Sequence, residues 1–388
     1  MTLLLDPPSL RGRSNGIDLL RGWFALQVLI FAHVVNWSVY LRGKDAVAAP
    51  IKQLAAALIV VFQSRAELNP AVIGFIVLSG YCIHRNGLRT GRPLTPYFIR
   101  RGFRILPIFY LGSALGVIFY YLSTALAPAA ASALTGTARI SASCLLAKLT
   151  AIASILPIAH PCDYAGNAPL LTVMVEIGLY AFYALVFFIG GASVVYCACG
   201  ASIIVGLAIA AMNLRHPLLY DWWQNSSLLA FLPYWWIGAA AIQPAIRRWI
   251  MAHWLLFFAA WLTLTMLSAY LDPTAITAEI RKLVFAGLIT CLVVKFDRDT
   301  MPANPISFIG KAGYSIYAIH APLAVYLVIL GLPWWITCAI VVAAGLFSYF
   351  AFERPLNLTG HRFAKAVSSV AGSEATQMSI AGNMVKGD

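Results

Sequence analysis

Ten apolar runs of about 16 to 25 residues, separated by short polar connections, decide what solvent this chain folds in. They lie at 16–40, 69–84, 103–125, 168–190, 191–212, 227–245, 251–271, 279–296, 313–330 and 333–352. A helix of about 20 apolar residues crosses the hydrocarbon of a bilayer. Composition agrees, because 61% of the residues are hydrophobic and mean hydropathy is +0.81. Only 11% are charged, against roughly 25% in soluble domains, which is too few to cover a water-facing surface. The expected fold is all-α: a polytopic transmembrane helical bundle of about ten helices.

The first run follows Arg11 and Arg13 as a signal peptide would, but it is too long and lacks an A-x-A-like cleavage site, so it reads as a retained helix. Of the 27 Lys and Arg residues, 17 fall inside and 9 outside when the N-terminus is cytoplasmic, with Arg21 within the first span. That bias places both termini in the cytoplasm and the chain in the inner (plasma) membrane as a multi-pass protein. The expected organisation is a cytoplasmic N-terminal segment at 1–15, a membrane domain at 16–356, and a cytoplasmic tail at 357–388. The tail loses apolar runs and gains Ser, Gly and Lys, which predicts disorder. Segment 53–62 is apolar but too short to cross, and 144–158 reads as re-entrant or interfacial.

The net charge of +13 does not point to nucleic acid, because the basic residues sit between apolar spans and not in a patch interleaved with aromatics. Five of the seven cysteines fall in or at the ends of spans as small packing residues. Cys144 and Cys162 flank a polar connection and form a disulfide only if it faces an oxidising compartment.

An ionisable group inside a span is costly and marks a site. His33 lies well inside span one and His320 near the middle of span nine. Glu176 lies in span four with Tyr180 one turn later, and Arg21 near the inner start of span one with Asp18 three residues before it. Taken singly, each reads as interhelical packing glue. Two imidazoles, a carboxylate and a guanidinium in one bundle suggest proton chemistry. The stretch from Arg85 to Arg104 holds six arginines and no acidic residue. It suits anionic lipid as a positive-inside loop, or phosphate as a set of guanidinium forks. Asp221-Trp222-Trp223 and Tyr234-Trp235-Trp236 read as an interfacial aromatic belt ahead of a sugar-stacking site. No local spacing of His, Cys and carboxylates resembles a metal site.

From about Asn15 to Pro355 the sequence resembles the acyltransferase 3 family of bacterial membrane proteins, in five ordered stretches. Ile17-Asp18-Leu19-Leu20-Arg21-Gly22 followed by His33 is similar to its opening helix. Gly74 to Ile83, with Leu78-Ser79-Gly80, resembles its second helix, and Tyr97-Phe98-Ile99-Arg100-Arg101-Gly102-Phe103-Arg104 its arginine-rich third. Thr172 to Tyr180 resembles the segment with its buried glutamate. Gly313-Tyr314-Ser315-Ile316-Tyr317-Ala318-Ile319-His320, closed by Glu353-Arg354-Pro355, resembles its last two helices. One departure concerns the first helix, where the family usually has ten residues between arginine and histidine and this chain has eleven. In a regular helix the extra residue turns His33 by roughly 100° relative to Arg21.

The resemblance implies transfer of an acetyl or other short acyl group, such as succinyl, from acyl-CoA to a sugar hydroxyl of an exopolysaccharide, lipopolysaccharide or lipid-linked oligosaccharide. Acetyl-CoA or succinyl-CoA is then a co-substrate, with no permanently bound cofactor. Arg21, Arg100, Arg101 and Arg104 are the expected coenzyme A contacts, and His33, Glu176 and His320 the expected catalytic groups. His33 acts as general base or, in the covalent variant, carries the acyl group, while Glu176 orients an imidazole or binds sugar. The alternative from another class is a proton-coupled transporter or exporter of a saccharide, for which intramembrane His and Glu are equally natural.

Overall fold

The structure, a computed structural model, describes residues 14–62, 70–85, 94–135, 167–189, 192–213, 215–270, 275–298 and 301–384. Every element among them is helical. Helix α1 (Asn15–Leu26) runs through a π-helical stretch (Gln27–Val34) into α2 (Val35–Arg42). It starts at Ser14, whose side chain accepts from the Ile17 backbone N–H, with Asp18 in the first turn complementing the helix dipole. Next come α3 (Ala49–Phe62), α4 (Pro70–Arg85), α5 (Thr95–Leu126) and α6 (Pro128–Thr135), then α7 (Leu170–Ile189) and α8 (Ala192–Ala211). Helices α9 (Pro217–Ser226), α10 (Leu228–Ala240), α11 (Pro244–Ala252), α12 (Trp254–Tyr270) and α13 (Ala275–Arg298) form the next group. The chain ends in α14 (Pro305–Lys311), α15 (Gly313–Ile329), α16 (Trp334–Ser348), a second π turn (Tyr349–Glu353) and α17 (Arg354–Met384).

The described residues of the ten apolar runs fall almost wholly on helices. Among the described residues, four stretches are long and apolar enough to cross a membrane: Asn15–Arg42, Thr95–Leu126, Val194–Ala211 and Trp334–Ser369. The number is six if two bent pairs each count once, α9–α10 with α11 at 101° and α14 with α15 at 81°. Three shorter apolar helices, Pro70–Arg85, Leu170–Val186 and Trp254–Ser268, accompany them. Ile204 and Phe347 are 70% and 67% exposed, as side chains bathed in hydrocarbon would be.

Two close crossings fix the frame. A Cβ on Gly80 of α4 would lie 1.9 Å from the Trp235 carbonyl oxygen, and one on Gly238 of α10 would lie 2.2 Å from that of Val77. These helices touch backbone to backbone, which only small residues permit. At the other crossing, Gly310 of α14 abuts the Asp18 carbonyl and Gly22 of α1 abuts that of Ile306. This second contact ties the first helix to the segment that leads into α15.

Two expectations change. The tail at 357–388, read as disordered, is helical to Met384. Its first turns pack on α5, where a Cβ on Gly360 would meet Phe103 and where Ala364 is fully buried. The aromatic run at 234–236 is no interfacial belt, since Tyr234, Trp235 and Trp236 are all buried and Trp235 packs on Tyr183 with centroids 5.3 Å apart. The crossing at Gly238 turns that face inward; Trp249, Trp254 and Trp335, all exposed, sit at helix ends instead. Segment 144–158, Cys144 and Cys162 lie outside the described residues.

Candidate active site

His33 and His320, 287 residues apart in the chain, meet with His33 Nδ1 and His320 Nε2 at 2.9 Å. His320 is 1% exposed on α15, whereas His33 is half-buried. The first π stretch brings His33 to this position. Its end is marked by the Val35 N–H bonding to the carbonyl of Ile30, five residues back. A π turn closes one residue later than an α turn and so absorbs one extra residue. Arg21 packs on Gly313 of α15 while His33 reaches His320 of the same helix. The offset expected from the extra residue is therefore taken up inside the helix, which keeps the Arg21 backbone and the His33 ring both on the side of α15.

The hydrogen bonds assign the protons. His320 Nδ1 lies 2.7 Å from the Tyr317 carbonyl oxygen, which can only accept, so Nδ1 carries the hydrogen. In a neutral ring Nε2 is then an acceptor, so His33 Nδ1 donates to it. The lone pair of His33 is left on Nε2, which bonds to no described residue. Trp37 stacks on the His33 ring at 4.6 Å and 14°, holding its plane. A base held by an orienting partner is the arrangement that activates a hydroxyl or thiol.

Polar groups lead from this pair to the arginine-rich start of α5. The Tyr317 ring lies 5.6 Å from that of His320 and Tyr317 shares a hydrogen bond with Thr172. Glu176 accepts from Ser79 Oγ at 2.6 Å and from the Tyr180 hydroxyl. The Arg101 guanidinium carbon then sits 5.5 Å from the Tyr180 ring centroid and 5.7 Å from that of Tyr97. Arg101 Nε is buried with no hydrogen-bond partner.

Glu176 accepts from hydroxyls and makes no bond to either imidazole among the described residues, so the orienting role expected for it falls to the Tyr317 carbonyl and His320. Arg21 stands apart from the α5 arginines. It pairs with Asp18 at 3.3 Å and bonds Cys82 Sγ at 3.2 Å. Ser79 and Thr172 were inside the family-like stretches but unremarked, being small hydroxyls in apolar context. Among the described residues no three His, Cys, Asp or Glu side chains group as a metal site.

The sequence reading also passed over His361 on α17. It stands within electrostatic reach of Arg100, Arg101 and Arg104 at the start of α5. Small residues at Gly360 and Ala364, four apart, were the available signal that this stretch packs as a helix.

No family model, curated protein or solved structure matches the chain. The resemblance to acyltransferase 3 proteins is one of sequence stretches alone.

Proposed function

We propose that the chain is a membrane-bound O-acyltransferase of the acyltransferase 3 kind. It moves an acetyl or other short acyl group from acyl-CoA to a hydroxyl of an exported or lipid-linked saccharide. The observation that carries this reading is the anchored pair of imidazoles, with His33 Nε2 left as the base. A sugar hydroxyl has to lose its proton as it attacks, and a neutral, oriented imidazole performs that transfer near neutral pH.

In this mechanism His33 Nε2 takes the hydroxyl proton while the sugar oxygen bonds to the thioester carbonyl carbon. Collapse of the tetrahedral adduct breaks the C–S bond. The departing coenzyme A sulfur takes the proton from His33, which returns to neutral. His320 acts as a positioning residue that stabilises the imidazolium formed in between. Arg100, Arg101 and Arg104 hold the coenzyme A phosphates through charge-assisted, bidentate hydrogen bonds. The Tyr180–Glu176–Tyr317 line marks the route of the pantetheine arm from the arginines to the pair.

The topology belongs to the same proposal: ten crossings in the inner membrane, with both termini cytoplasmic. The arginines then open on the compartment that contains acyl-CoA, and His33 lies toward the face from which a saccharide is exported. A saccharide transporter would use the same histidines as a proton path. Thiol release from acetyl-CoA and from succinyl-CoA, measured on purified protein in nanodiscs with and without a saccharide acceptor, separates the two. Acceptor-dependent release is expected; proton-driven saccharide counterflow with no thiol release would give the transporter reading instead.

A further inference from the structure

The start of α13 carries charge into the bundle. Glu279, Arg281 and Lys282 are all at least nine-tenths buried, while Ile276 and Ile280 on the same turns face outward. Lys282 Nζ pairs with Glu279 at 2.5 Å and lies 5.7 Å from the Tyr220 ring centroid. The Tyr234 hydroxyl reaches the second Glu279 oxygen at 3.5 Å. None of these groups has a part in the acyl-transfer site.

The helices that flank these turns carry buried polar atoms without partners. Tyr220 joins α9 to α13 through its hydroxyl, which donates to the Ala275 carbonyl at 3.3 Å. Gln224, one turn along the same face of α9, is 8% exposed, and its Oε1 is buried without a hydrogen bond. Helix α12 runs antiparallel to α13, with Phe257 on Gly287 and Trp261 against Phe285. Thr265, one turn further, therefore stands level with Lys282, and its hydroxyl is also buried and unpartnered. Orphaned buried atoms cost about 1–3 kcal/mol each and call for a ligand or water.

We infer that this end of the bundle is a saccharide subsite, the place where the acyl acceptor is held; this rests on the acyl-transfer reading. A sugar presents hydroxyls that both donate and accept, together with an apolar ring face. That matches the paired Glu279 carboxylate and Lys282 ammonium beside the Tyr220 ring, with the Gln224 amide one turn along α9 and the Thr265 hydroxyl level with Lys282 on α12. A simple ion would need ligands of one sign. In the proposed topology this is the outer end of the bundle, toward which His33 also lies.

Two variants test the site. Gln224→Leu removes an orphaned polar group, and Glu279→Gln with Lys282→Met replaces the ion pair by neutral groups of similar volume, which a purely structural pair tolerates. The probe is cell-surface polysaccharide from cells lacking the gene, titrated into nanodisc protein and followed by tryptophan fluorescence. Both variants should weaken its binding by about tenfold or more, since a site built for hydroxyls loses heavily when its polar groups go. Coenzyme A binding should stay within about twofold of the parent. Unchanged polysaccharide binding would overturn the inference and leave the orphaned atoms to water. Parallel loss of coenzyme A binding would overturn it too, as a packing effect. Failure of the acyl-transfer reading is seen separately, as polysaccharide acyl content that does not depend on the gene.

Discussion

His33→Gln lowers acyl transfer by about 10²–10⁴-fold and leaves the protein in the membrane at its parental level. Glutamine keeps a side-chain amide, one bond longer than the path to Nδ1, that can turn to donate to His320 Nε2, so the helix contact survives while the base is lost. His33→Ala removes the contact as well and should lower the rate at least as far, with some loss of stability. The effect should fall on kcat, with KM for acyl-CoA little changed, because the coenzyme contacts lie at the other end of the polar line. His320→Gln should cost less, because the base remains and the amide oxygen still accepts from His33 Nδ1 near the place of Nε2, while the anchor to the Tyr317 carbonyl is lost. An equal fall in protein level and activity in His33→Gln would point to a packing role instead.

Gly80→Val prevents folded protein from accumulating. The added Cβ would meet the Trp235 carbonyl oxygen at 1.9 Å and its carbon at 2.8 Å. Both are backbone atoms, so no side chain can swing aside and α4 must part from α10. Overpacking costs about 1–3 kcal/mol when neighbours can yield and more when they cannot; whole domains have only about 5–15 kcal/mol to lose. Gly200→Val on α8 is the control, since a Cβ there meets nothing within 4 Å. Fluorescence-detected size-exclusion of the solubilised proteins should give a parental peak for Gly200→Val and little or none for Gly80→Val. Two parental peaks would contradict the backbone contact.

The helices were readable because lipid imposes a local rule, one apolar run per helix, that needs no knowledge of partners. Pairings were not readable in the same way. Nothing near His33 announces His320, and the Tyr317 carbonyl that sets the tautomer is backbone and leaves no mark on the sequence. The eleven-residue spacing from Arg21 to His33 was visible, but its cure was not, because a π turn is decided by the surrounding contacts. Trp235 was misread for a related reason. Tryptophan suits both belts and cores, and only the contact at Gly238 shows which face turns inward. Arg281 and Lys282, two of the nine basic residues that the charge bias places outside, are in fact buried.

The measurement that bears most directly on the central claim is the acyl content of the cell-surface polysaccharide, read by proton NMR. It is to be made in cells lacking the gene and in the same cells supplied with the parent chain or with His33→Gln. The account predicts acyl resonances with the parent and their absence, or reduction to the gene-less level, with His33→Gln at equal protein in the membrane. Acyl resonances of equal strength in the gene-less cells, or full restoration by His33→Gln, would contradict it.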